Sequence, residues 1–103
     1  MLIELNVKNN ISQLIKQHII LFDSFKNVYL FGSMFKKSTV PNDIDILLIY
    51  SGDSNKIMYE LNSIRSTLET VSGLSVDLIV LSIEEEKDTE FLKRIDPHYL
   101  KLK

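Results

Sequence analysis

Cysteine is absent from the 103 residues, so the chain can form neither a disulfide nor a thiolate metal site. That absence fits a reducing compartment, and the expected location is the cytoplasm. An excess of basic charge is missing as well. Twelve Lys and Arg stand against 14 Asp and Glu, a formal net charge of −2, which excludes a nucleic-acid surface built on bulk charge. The opening run MLIELNVKNN has no basic segment leading into an apolar one, so it does not read as a secretory signal. No apolar run approaches the roughly 20 residues that a membrane-spanning helix needs, so no membrane partner is expected. Internal repeats, low-complexity tracts and domain linkers are also lacking. What is present is 45% apolar residues, enough for an ordinary core. The length fits a single domain over residues 1–103.

Hydrophobic periodicity orders the chain as helix, strand, strand, helix, strand, helix. Val7, Ile11, Leu14, Ile15, Phe22 and Phe25 recur at helical spacing and predict a first helix over about residues 7–25, capped by Asn6, Asn9 or Asn10. His18 lies near that stripe and reads as a structural histidine rather than a ligand. NVYLF, closed by Gly32, and DIDILLIY read as buried strands. Ile57, Leu61, Ile64, Leu68 and Val71 mark a second helix, with Asp53 or Ser54 as N-cap and Gly73 as its end. LSVDLIVLS is a third strand. Ser82 and Glu85 form a capping-box pattern for a last helix that turns Phe91, Leu92 and Ile95 inward and stops at Asp96-Pro97. The fold class is α/β (α+β), a small sheet flanked by helices.

Two aspartates open the second strand although aspartate is a poor strand former. Side chains alternate along a strand, so Asp43 and Asp45 project from one face, roughly 6 to 7 Å apart. Leu47 and Ile49 continue that face, and Ile44, Ile46 and Leu48 form the other. The third strand repeats the pattern with Asp77, Ile79 and Leu81. If the two strands are neighbours, three carboxylates meet at one rim of the sheet. Two such charges at roughly 4 Å repel by about 4 kcal/mol at an effective dielectric near 20, so the group calls for protons, water or cations. Oxygen-only ligation suits Mg²⁺ or Mn²⁺. Two ions about 3.5 to 4 Å apart could bind a nucleotide and activate an attacking oxygen. Three carboxylates and a triphosphate sum to about −7, and two divalent ions return +4. Lys36 and Lys37 stand ready for part of the rest. Gly32 permits a tight turn and close backbone approach, and the Ser33 hydroxyl can donate to a phosphate oxygen. Singly, each feature is an ordinary turn, cap or surface charge; the conjunction is what points to chemistry.

With Gly32-Ser33, nine further residues, Asp43-Ile44-Asp45 and a later Val76-Asp77-Leu78, the chain resembles the nucleotidyltransferase superfamily typified by DNA polymerase beta. The resemblance runs from the first helix to FLKRI at 91–95 and is closest to the minimal nucleotidyltransferases, or MNT proteins. Where those proteins commonly continue Gly-Ser-x-Ala-Arg-Gly, this chain has Gly-Ser-Met-Phe-Lys-Lys. Lys36 keeps the charge of arginine without its bidentate fork.

The resemblance implies a polymerase beta-like fold and a two-metal transfer of a nucleotidyl group from a nucleoside triphosphate, with pyrophosphate leaving. On that model Asp43 and Asp45 bind both Mg²⁺ ions. Asp77 binds the catalytic ion and helps deprotonate the acceptor. Gly32, Ser33, Lys36 and Lys37 hold the nucleotide's phosphates. Many MNT proteins resemble antitoxins of HEPN-type ribonuclease toxins, some of which are thought to receive AMP. The leading expectation is therefore an ATP- and Mg²⁺-dependent transfer to a HEPN-type partner. The alternatives are a non-catalytic binding antitoxin, and transfer to a small molecule or an RNA end.

Overall fold

The computed structural model describes residues 2–32, 43–52, 55 and 57–103, with the side chains of the first helix from residue 10 onward. Helix α1 spans Leu2–Gln17, a 3-10 helix Ile19–Phe22, strand β1 Asn27–Phe31, β2 Asp43–Tyr50, helix α2 Ile57–Ser72, β3 Ser75–Ser82, α3 Ile83–Thr89, α4 Phe91–Ile95 and β4 Tyr99–Lys101. The sheet runs β3-β2-β1-β4. β2 is parallel to β3 and antiparallel to β1, and β4 is antiparallel to β1, so the sheet is mixed. No helix of the described residues is long and apolar enough to cross a membrane.

Strand parity explains the two cores. Val28, Leu30, Ile44, Ile46, Leu48 and Val76 point to one face and pack on Ile11, Ile15, Phe22, Phe25, Ile57, Ile64 and Leu68. Tyr29, Leu47 and Ile49 point to the other and pack with Phe31, Ile79, Leu81, Ile83, Phe91, Leu92 and Tyr99. β2 is thus apolar in an unbroken run from Ile46 to Ile49 because it is covered on both faces. Each of these fully buried side chains contributes roughly 1.5–3 kcal/mol through removal from water.

The first helix differs from expectation at both ends. It begins at Leu2, so Asn6, Asn9 and Asn10 lie inside it rather than capping it. An interior asparagine costs only a few tenths of a kcal/mol to ~0.7 kcal/mol, too little to stop a helix. It ends at Gln17, yet Phe22 and Phe25 are still buried. Bonds from Leu21 N to His18 O, Asp23 N to Ile20 O and Phe25 N to Phe22 O carry the chain on at three residues per turn, and that period also keeps residues three apart on one side. His18 is held structurally, its Nδ1–H donating to Leu14 O at 2.9 Å.

Helix α2 starts at Ile57 and ends at Ser72. Gly73, at φ +72°, donates its N–H to Glu69 O at 2.9 Å and closes the last turn. The proposed caps Asp53 and Ser54 lie outside the described residues. Val71 is 44% exposed, so the apolar stripe stops at Leu68. The capping box forms as predicted: Ser82 Oγ accepts from Glu85 N at 3.0 Å, and Glu85 Oε1 accepts from Ser82 N at 2.9 Å. The last helix is nonetheless two. Glu90 adopts a left-handed φ of 51°, and α4 restarts with Leu92 N bonded to Glu86 Oε2 at 3.1 Å. β4, unforeseen, follows.

Tyr29 and Tyr99 meet edge to face, with ring centroids 5.4 Å apart. Burial, then Tyr99 and Glu86, raise the Tyr29 phenol above its ordinary value of 10.0. The folded state therefore keeps a proton that the unfolded chain gives up. The associated stability is fully present below pH 10 and is lost as pH rises through the higher folded value. Tyr29→Phe is expected to flatten the alkaline limb of a pH–stability profile measured by urea unfolding. An unchanged slope above pH 10 would contradict this assignment.

Candidate active site

Register sets the carboxylates on one face of the sheet. Asp45 sits opposite Asp77 in the parallel β2–β3 ladder and opposite Phe31 in the antiparallel β1–β2 ladder. Asp43 lies two positions back, opposite Ser75. Neighbouring strands stand about 4.8 Å apart, so Asp45 and Asp77 are cross-strand neighbours on the same face. Asp43 and Asp45 are half-buried and Asp77 is exposed. Beyond them that face becomes the hydrocarbon of Leu47, Ile49, Ile79 and Leu81. The acids thus occupy one end of a face whose other end is filled by α3 and α4.

Gly32 stands directly against Asp45. Its φ is +85°, a region that L side chains rarely adopt. A Cβ built there would fall onto Asp45 Oδ2, 2.9 Å from Cγ and 3.1 Å from Cβ of the same side chain. The glycine supplies both the turn and the space in which the carboxylate lies. Phe31, the residue before it, packs edge to face on Phe91 of α4 with ring centroids 5.4 Å apart. An aromatic pair therefore walls one flank of Asp45.

The sequence missed this wall. Phe91 was expected inward, but Phe31 acquires its place beside Asp45 only through the β1–β2 register, which a hairpin of unspecified loop geometry leaves open. Ser33, Lys36 and Lys37, with the rest of 33–42, lie outside the described residues.

Among the described residues no three His, Cys, Asp or Glu side chains stand close enough together to hold a metal ion. The donor set still fits a hard divalent cation. It consists of carboxylate oxygen alone, on two paired strands, and Gly32 leaves the space that the Asp45 carboxylate occupies.

The family described as Polymerase beta, Nucleotidyltransferase matches residues 9–97. No curated protein matches the chain. Solved structures do. A candidate nucleotidyltransferase from Sulfolobus solfataricus is 22% identical with a TM-score of 0.55, over 95% of this chain and 84% of that one. A chain of the complex between a tri-AMPylated Shewanella oneidensis HEPN toxin and an MNT antitoxin is 21% identical with a TM-score of 0.54, over 89% and 71%. A chain of a double aspartate-to-glutamate mutant of the toxin-antitoxin MntA-HpeT is 20% identical with a TM-score of 0.56, over 93% and 72%. At these identities the likeness speaks for the fold.

Proposed function

Because the chain belongs to the polymerase beta nucleotidyltransferase family, we propose that it moves AMP from ATP to a hydroxyl on a partner protein, as the antitoxin of a HEPN-type toxin. The observation that carries this reading is the pairing of Asp45 with Asp77, with Asp43 on the same face and Gly32 backed against Asp45. Two of the structures sharing the fold are toxin-antitoxin complexes, and in one of them the toxin carries AMP.

In this mechanism Asp43 and Asp45 would hold two Mg²⁺ ions, and Asp77 one of them. When bound, the ions supply positive charge against the phosphates and the reacting oxygens. The acceptor hydroxyl forms a bond to the α-phosphorus of ATP as the bond from that phosphorus to the bridging oxygen breaks. Pyrophosphate leaves with the electron pair, and an Asp77 carboxylate oxygen takes the acceptor's proton. Asp45 keeps its place because Gly32 offers no side chain to displace it. Phe31 and Phe91 keep water from one flank. Ser33 would donate to the phosphates, with Lys36 and Lys37 adding charge. Positioning and charge neutralisation supply most of the rate.

A masking antitoxin that binds without transferring is the second reading, favoured by the departure at Met34-Phe35-Lys36-Lys37 from the family's usual run. The two separate on one experiment. The protein is incubated with labelled ATP, Mg²⁺ and the product of the neighbouring gene. Label on that product, together with relief of its toxicity that disappears in the Asp43→Asn, Asp45→Asn double mutant, is expected. Relief that survives the double mutant supports masking and sinks transfer as the antitoxic act.

A further inference from the structure

The three acids are not equally supported. Asp45 lies on a central strand and is paired on both sides. Asp77 lies on β3, the last strand of the sheet, and among the described residues β2 alone pairs with it. An edge strand presents unpaired N–H and C=O groups and has no second ladder to fix it. Helix α2 supplies the missing partners at one residue. Glu69 Oε2 accepts from Val76 N at 2.9 Å, and Arg65 Nε donates to Val76 O at 3.4 Å. Both peptide groups of Val76 thus face outward to α2, and alternation turns those of Asp77 inward to β2.

The turn leading into the strand is tied down by the same helix end. Gly73 N donates to Glu69 O at 2.9 Å, and Leu74 N donates to Ser72 Oγ at 3.0 Å. Glu69 therefore holds the turn with its backbone and the strand with its side chain. Register alone does not require this, because β3 pairs with β2 at eight consecutive positions from Ser75 to Ser82. The clamp falls on the residue next to the acid, at the end of the strand where Asp77 faces Asp45.

We propose that Glu69, assisted by Arg65, is a positioning residue for Asp77: the two side chains grip Val76 and set the distance between the Asp77 and Asp45 carboxylates. The inference rests on reading Asp77 as a site carboxylate. Site geometry must hold within about 0.5 Å to be productive, and an edge strand gripped from one side drifts further than one gripped from both.

The test compares the wild type, Glu69→Ala and Glu69→Gln by Mn²⁺ titration, with thermal unfolding and nucleotidyl transfer measured alongside. Glu69→Gln keeps a carbonyl oxygen that can accept from Val76 N, so it should bind Mn²⁺ nearly as the wild type does. Glu69→Ala should weaken Mn²⁺ binding by about 10- to 100-fold, the range usual for outer supports of a metal site. A Glu69→Ala protein that melts earlier but binds Mn²⁺ like the wild type overturns the proposal, as does a Glu69→Gln protein as impaired as Glu69→Ala. Should Glu69→Ala not fold, Glu69→Asp, whose carboxylate falls short of Val76, carries the same comparison. A wild type that neither binds Mn²⁺ nor transfers a nucleotide overturns the reading of the site itself, an outcome distinct from the other two.

Discussion

Replacing Asp43 and Asp45 together by asparagine is expected to reduce nucleotidyl transfer by at least about 10³-fold, since single charge-stabilising groups already account for 10²–10³ in comparable sites. Asparagine preserves shape and β-strand register but presents no negative charge to a divalent cation. The fold should survive. Ile44 and Ile46, between and beside the two acids, are fully buried on the opposite face and go on anchoring β2. Activity and thermal unfolding on the same preparations check both halves. A stable double mutant with transfer within tenfold of the wild type would remove the aspartates from the chemistry.

Gly32→Ala should also be damaging, to a smaller extent and through a different route. The backbone there has φ +85°, and the added methyl lands on the Asp45 carboxylate. Strain of this kind costs about 1–3 kcal/mol, and the overlap must be relieved by moving either the turn or Asp45. Movement of a reacting group by about 1 Å can cost about 10²-fold, so a loss of that order is expected together with a lowered melting temperature. The matching change at Gly52 separates strain from collision. That glycine also has positive φ, at +86°, but a Cβ built on it meets nothing within 4 Å. Gly52→Ala should cost stability and leave transfer intact. Equal losses of transfer in the two variants would refute the collision with Asp45.

Much of this geometry is legible in the sequence, for a definite reason. The period of a strand is two, so DIDILLIY and SVDLIVLS each commit their acids and apolar residues to faces before any partner is known. The two cores then follow. The capping box at Ser82 and Glu85 is equally local and forms as read. What escaped depends on contacts distant along the chain. β4 is three residues long and exists by pairing with β1. The break between α3 and α4 falls at Glu90, a residue type that does not announce a left-handed conformation. Phe22 and Phe25 kept a helical rhythm through a 3-10 turn, because residues three apart share a side in both kinds of helix. Phe31 beside Asp45, and Glu69 on Val76, are set by register and by the packing of α2 along the sheet edge. Neither leaves a mark in local periodicity.

Whether a nucleotidyl or a phosphoryl group is transferred is decided by the position of the label. ATP labelled at the α-phosphate should mark the partner protein, while ATP labelled at the γ-phosphate should release its label as pyrophosphate. Label reaching the partner from the γ-phosphate, or from neither position while ATP and Mg²⁺ are present and the partner is bound, would contradict the account.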